Sequence, residues 1–152
     1  MNKEVSYKTP QNIIDNANIN EVDFNELYKE SLENPDKFWG EQAEKYLDWY
    51  QKWTKVQESD FSKGKFSWFL GGRLNASYNC IDRHLPEKGN NIALIWEGDD
   101  PKDSKKITYK ELHREVCIFS NVLKSRGIKK GDRVCIYMPM IPEATYAMLA
   151  CA

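Results

Sequence analysis

An uninterrupted apolar stretch at residues 134–138 most constrains what this chain can fold into. Its sequence, Val-Cys-Ile-Tyr-Met, offers almost no polar residue to either face of a strand. Strands of this kind are usually buried between helix layers in a parallel sheet. Pro139 ends the stretch, and Pro142 is placed to begin a helix. The pattern therefore predicts an α/β fold.

The end of the sequence adds a second constraint. Residues 147–152 continue the helix that starts at Pro142 without a glycine, a basic last turn or a polar tail. Helix ends normally recruit such groups, or water, for their unpaired carbonyls. A single apolar strand also cannot bury both of its faces within this chain. We therefore expect a truncated domain whose chemistry lies further along.

Composition excludes several classes of function. The 152 residues are 41% hydrophobic, which suffices for one domain with a modest core. Lys and Arg number 22 against 23 Asp and Glu, so nucleic-acid or anionic-membrane binding has little electrostatic support. No apolar run approaches the ~18 residues of a membrane span, and no signal pattern opens the chain. We expect a cytoplasmic protein with no nucleic-acid and no membrane partner.

The four cysteines predict no metal centre. Cys80, Cys117, Cys135 and Cys151 are widely separated and form no C-x-x-C pair or Cys/His cluster. We expect reduced, buried thiols.

The first half of the chain predicts a polar tail followed by helices. Residues 1–20 are polar and Asn-rich and predict a disordered tail. Asp23 is a candidate N-cap for a helix that ends near Asn34, and Pro35 opens a second helix. One face of the second helix carries Trp39, Ala43, Tyr46, Leu47, Tyr50 and Trp53. This stripe either holds a flat ligand or packs the helix on a larger body, and we favour packing.

Two further patterns resemble binding or catalytic motifs. Gly71-Gly72-Arg73, after short extended pieces at Val56 and residues 66–69, lacks the frame of a phosphate loop. Asn75 is a candidate N-cap for a helix that carries Tyr78, Ile81 and Leu85. Asp82, Arg83 and His84 lie within that helix. Because consecutive helical residues point about 100° apart, we expect structural pairing rather than catalysis.

The last third predicts alternating strands and helices. Residues 92–96 and 106–109 are two strands joined by a turn at residues 99–101. Thr108 and Glu111 form a capping box, and Gly127 ends the helix that follows. The buried face of this helix is predicted to contain Leu112, Val116, Phe119 and Leu123.

Several segments taken in order resemble a known family. Residues 107–112, 131–134 and 138–143 resemble the entry into the large domain of adenylate-forming enzymes. Residues 38–40, 74–85 and 93–98 resemble the N-terminal part of the acetyl-coenzyme A synthetases, the AMP-forming acetate–CoA ligases. The resemblance covers residues 23–152, and propionate-specific relatives share much of it. After the disordered tail at 1–20, it implies a helical N-terminal region at 21–88 and the incomplete start of the AMP-binding large domain at 89–152.

The resemblance also implies a reaction. Acetate attacks the α-phosphorus of MgATP to give acetyl-adenylate and pyrophosphate, and the thiol of CoA then displaces AMP. This chemistry requires a phosphate loop, Mg²⁺ and a basic residue near the reacting oxygens. The sequence contains no Gly/Ser/Thr/Lys-rich loop. We therefore predict no catalytic, cofactor-binding or metal-binding residue in this chain, and no binding of ATP, Mg²⁺ or CoA by it.

Three hypotheses remain open from the sequence. The first is an N-terminal portion of an acetate–CoA ligase that is inactive alone. The second is a non-catalytic module that associates with an intact synthetase, and the third is a free-standing helical domain whose aromatic stripe binds a small ligand. Under the first, residues 134–138 and 147–152 expose apolar surface and favour self-association through unpaired strand edges.

Overall fold

Helices and strands form two units in the computed structural model, which describes residues 7–100 and 102–152. One unit contains residues 7–46 together with Trp53–Leu70. The other contains Leu47–Lys52 and Gly71–Ala152. The chain is a mixed α/β structure, as predicted.

The first unit begins with three helices. They are α1 (Gln11–Asp15), α2 (Glu21–Glu33) and α3 (Pro35–Tyr46). Helix α1 lies within the predicted disordered tail and has no buried residue. Within it, Gln11 Nε2 donates a hydrogen bond to Asp15 Oδ1 at 2.8 Å. The part of that prediction for residues 1–6 lies outside the described residues. Helix α2 is capped by Asn20, which accepts from the backbone of Asp23, rather than by Asp23 itself.

Helix α3 is shorter than the sequence predicts. It starts at Pro35 as expected, but it ends at Tyr46 instead of continuing to Trp53. The backbone that follows has partners far along the chain: Tyr50 N–H and Gln51 N–H both donate to the Arg73 carbonyl. These long-range hydrogen bonds replace the backbone bonds of a helix. Leu47, Tyr50 and Trp53 therefore do not continue the predicted aromatic stripe along α3.

A β-hairpin completes the first unit. Strands β1 (Lys55–Asp60) and β2 (Lys65–Leu70) pair in antiparallel register, with Gln57 opposite Trp68. Helix α3 packs on β1 at Gly40, where an added Cβ would lie 3.3 Å from Val56 Cγ2. The Trp39 ring meets the Trp68 ring edge to face at 6.4 Å. The aromatic side of α3 therefore packs against the hairpin.

The second unit contains four helices and a second hairpin. They are α4 (Ala76–Cys80), α5 (Leu85–Lys88), β3 (Ile92–Glu97), β4 (Ser104–Thr108), α6 (Tyr109–Ser125) and α7 (Pro142–Cys151). Asn75 caps α4 as predicted. The predicted helix through Leu85 is nevertheless broken, because a 3-10 turn at Asp82–His84 separates α4 from α5.

The core of the second unit lies between α4, the hairpin and the two long helices. Its buried residues are Ile81, Ile107, Leu112 and Val116. The predicted capping box is confirmed, since Thr108 and Glu111 each accept from the other's backbone N–H. Phe119 and Leu123 of the predicted stripe are only partly buried. Gly127 follows the helix with φ of 85°, as expected for its end.

The strand predicted at residues 134–138 is wrong for the described chain. Both described sheets are two-stranded hairpins, and neither pairs with this segment. A strand needs a neighbour for its backbone N–H and C=O groups, so the segment runs without assigned secondary structure. Residues 135–138 are exposed and Val134 is half-buried, with Tyr137 101% accessible, whereas Ala147 at the predicted apolar end is buried.

The prediction of buried cysteines is also wrong. All four thiols are free, as expected, but all four are exposed. Cys117, for example, lies on α6 one residue beyond the buried Val116 and therefore about 100° around the helix from the core.

Candidate functional site

The most site-like arrangement of polar side chains surrounds the 3-10 turn at Asp82–His84. All three residues are partly buried and each has a defined partner. Arg83 and Asp82 make contacts with different segments of the chain. The prediction that this triplet serves structural pairing agrees with these contacts.

Arg83 joins a network around a buried amide. Its Nη1 donates to Asn79 Oδ1 at 3.3 Å and lies 3.4 Å from Asp48 Oδ1. Asn79 also accepts from Asp48 N–H at 2.8 Å, while its Nδ2 donates to the carbonyls of Asp48 and Asn75, each at 3.0 Å. The network holds residues 47–52 against α4 and has a structural role.

The His84 side chain points away from this network and towards Tyr109. Its ring lies 5.5 Å from that of Tyr109, and Nε2 accepts from Arg83 Nε at 3.3 Å. The imidazole thus packs at the start of α6.

Asp82 instead reaches the second turn of α6. Its Oδ1 lies 3.4 Å from His113 Nε2, and the same nitrogen lies 3.5 Å from Cys117 Sγ. The sequence patterns did not point to His113, and Cys117 was predicted only to be a buried thiol. Their i, i+4 spacing on a helix was the available signal, but the approach of Asp82 depends on the tertiary fold.

The Gly71-Gly72-Arg73 loop pairs with residues near the end of the first helical region. Arg73 N–H donates to the Gln51 carbonyl at 2.8 Å, so it is not directed at a ligand. The loop borders a groove of about 1050 Å³, whose cationic lining residues are Arg73, Lys124, Lys129 and Lys130. These cations are all exposed, so water and salt screen any attraction of an anion.

Shifted pKa values mark structural contacts. Hydrogen bonds from the backbone and side chain of Thr108 lower the pKa of Glu111, which reflects the helix cap. Burial, followed by the charge of Glu143, raises the pKa of Tyr146. Neither shift belongs to a cluster of reactive groups.

Metal binding has no support in the part of the chain that the structure describes. Within residues 7–100 and 102–152, no three His, Cys, Asp or Glu side chains are arranged to hold a metal ion. None of the described helices is both long and apolar enough to cross a bilayer. The absence of catalytic and cofactor-binding residues remains a prediction.

Two protein-family models match the chain consecutively. Residues 24–80 match the model described as acetyl-coenzyme A synthetase N-terminus, and residues 81–152 match the model of AMP-binding enzymes. Together they extend from within α2 to the end of α7.

Curated relatives extend the likeness to nearly the whole chain. Acetyl-coenzyme A synthetase 2 of Pseudomonas aeruginosa is 58% identical over 96% of this chain, and acetyl-coenzyme A synthetase 2 of Pseudomonas putida is 62% identical over 89%. The match covers 23% and 21% of those proteins, so the chain spans less than a quarter of their length.

A solved structure has a similar fold. Acetoacetyl-CoA synthetase from Streptomyces lividans superposes on 80% of this chain with a TM-score of 0.71 and 28% identity. The superposition covers 19% of that protein.

Proposed function

The chain belongs to the acetyl-coenzyme A synthetase family, whose N-terminal portion it matches, and we propose that it forms that portion of an AMP-forming acetate–CoA ligase. The complete reaction would convert acetate, ATP and CoA to acetyl-CoA, AMP and pyrophosphate through acetyl-adenylate. The observation that carries the proposal is the consecutive match of two family models over residues 24–152. We propose a cytoplasmic location for it.

The proposed division of the chain has three parts. Residues 1–20 form a polar tail, 21–88 an N-terminal region, and 89–152 the start of the AMP-binding domain. The order of the two family models supports this arrangement. The β-hairpin of strands β1 and β2 shows that the middle part is not purely helical.

We further propose that the 152-residue chain is catalytically inactive alone. Adenylate formation requires donors that hold the phosphates and neutralise the charge of the reacting oxygens. Two observations support this proposal: within residues 7–100 and 102–152 no three His, Cys, Asp or Glu side chains are arranged to hold a metal ion, and Arg83 is engaged by Asp48 and Asn79.

Exchange of labelled pyrophosphate into ATP tests inactivity. The purified chain is expected to give no acetate-dependent exchange above a reaction without acetate. The synthetase of Pseudomonas aeruginosa, assayed beside it, serves as the positive control. Sustained acetate-dependent exchange by the chain alone would overturn the proposal.

A second candidate function is association with an intact synthetase. The exposed apolar residues of the 136–140 segment favour it, since Tyr137 and Met140 are almost fully accessible. Size-exclusion chromatography with light scattering, with and without the Pseudomonas aeruginosa enzyme, shows whether the chain associates with that enzyme. A complex of defined mass supports association, and a monomer that ignores the enzyme argues against it.

A further inference from the structure

Three reactive side chains meet on the outer surface of α6. His113 and Cys117 are one helical turn apart, and Asp82 approaches them from the 3-10 turn. We propose that Cys117 is a modification site, a nucleophilic thiol that hydroperoxides oxidise to sulfenic acid. This inference is independent of the proposed ligase function.

The geometry assigns a role to each group. His113 Nε2 lies 3.5 Å from Cys117 Sγ, within reach of the thiol proton. Asp82 Oδ1 lies 3.4 Å from the same nitrogen. Once Nε2 is protonated, the carboxylate stabilises the imidazolium that the transfer creates. In the tautomer that carries its hydrogen on Nδ1, His113 is therefore the proton acceptor, and Asp82 is a positioning residue that acts through it.

The oxidation step balances without a further reactant. The Cys117 proton moves to His113 Nε2, and the thiolate attacks the terminal oxygen of the hydroperoxide. The S–O bond forms as the O–O bond breaks. The proton on Nε2 then passes to the departing hydroxide or alkoxide, which leaves as water or alcohol. The sulfur loses two electrons, and the peroxide gains them.

Access to the thiol is open. Asp82 and Cys117 both line a groove of about 500 Å³, large enough for a small peroxide. Their neighbour His113 is about one-third exposed, since its side chain is 37% accessible. Cys117 is itself exposed.

The chain carries its own controls. Cys80, Cys135 and Cys151 are equally free and exposed, so exposure alone does not distinguish Cys117. The sequence has two histidines, and His84 packs on Tyr109 instead of a thiol. If exposure alone set the rate of oxidation, the four thiols would react at similar rates. The proposed site predicts instead that Cys117 reacts fastest.

Competitive labelling of the full 152-residue chain tests the proposal. The chain is treated with limiting hydrogen peroxide, sulfenic acid is trapped with dimedone, and the four cysteine peptides are quantified by mass spectrometry. We expect Cys117 to be labelled about tenfold faster than the other three cysteines. His113→Ala should remove this advantage, and His84→Ala should leave it in place.

Two rescue measurements separate chemistry from folding. Added imidazole should restore the labelling of Cys117 in His113→Ala, because it replaces the lost proton acceptor. Asp82→Asn should slow labelling and Asp82→Glu should recover most of it, with circular dichroism showing that each variant is folded. Equal labelling of all four cysteines, or a folded His113→Ala chain that still labels Cys117 fastest, would overturn the proposal.

Discussion

Asn79 and Asp48 hold each other through two hydrogen bonds although they are 31 residues apart. Asp48 N–H donates to Asn79 Oδ1 at 2.8 Å, and Asn79 Nδ2 donates to the Asp48 carbonyl at 3.0 Å. Asn79 is buried, so its amide is shielded from water. This pair fixes the course of the chain just beyond α3, where the sequence alone predicted continued helix.

Asn79→Ala should destabilise the second unit. The substitution removes a buried amide and leaves the N–H and C=O groups of Asp48 without this partner, so we expect a loss of about 2 kcal/mol in free energy of unfolding. Urea denaturation followed by circular dichroism measures it. Asn121→Ala on the exposed face of α6 is the matched control and should change stability by less than about 0.5 kcal/mol. Equal effects would show that the Asp48 contact contributes nothing.

Ile81→Ala should destabilise the same unit more strongly. Ile81 is fully buried among Ile107, Leu112 and Val116. Removing its side chain loses apolar burial and leaves a cavity, which costs about 2–5 kcal/mol. Ile95→Ala is the control, because Ile95 is 60% accessible and loses much less burial. Similar unfolding midpoints for the two variants would contradict the described core.

The capping box should make stability depend on acid pH. Hydrogen bonds from Thr108 lower the pKa of Glu111 in the folded chain, so its contribution is present above the pKa of the unfolded state. It is lost as the pH falls through the folded value, in the range below about pH 4. The stability of Glu111→Gln should therefore change less with pH over this range than that of the unmodified chain. Thermal melts of both chains from neutral to acid pH measure the difference, and parallel curves would contradict it.

The 136–140 segment should drive self-association. Tyr137 and Met140 are almost fully exposed, so replacing both with lysine should lower dye binding and aggregation without altering the fold. Light scattering against concentration measures this. Val22→Lys with Leu32→Lys introduces the same charge on exposed positions of α2. If that control is equally effective, added charge rather than the apolar segment explains the improvement.

Local signals in the sequence predicted local structure well. Asn75, Thr108 with Glu111, and Gly127 act at helix ends through bonds a few residues long, and the structure confirms each. Residues 92–96 likewise form most of β3.

Long-range contacts account for the differences. Helix α3 ends early because Tyr50 and Gln51 bond to Arg73, and Asp82 reaches His113 across 31 positions of sequence. The segment at 134–138 shows the same dependence, since its strand pattern has no pairing partner among the described residues. Periodicity reports which residues suit an element, but not whether a neighbour is present to complete it.

A chimera tests most directly whether this chain forms the N-terminal portion of an acetyl-coenzyme A synthetase. The matching region of the Pseudomonas aeruginosa enzyme, 58% identical over 146 residues, is replaced by this chain, and acetate-dependent acetyl-CoA formation is measured. The account predicts a soluble chimera with activity within about tenfold of the parent, since exchanged surfaces cost ~1.4 kcal/mol or less of transition-state stabilisation. A soluble, cooperatively folded chimera without acetate-dependent activity would contradict it.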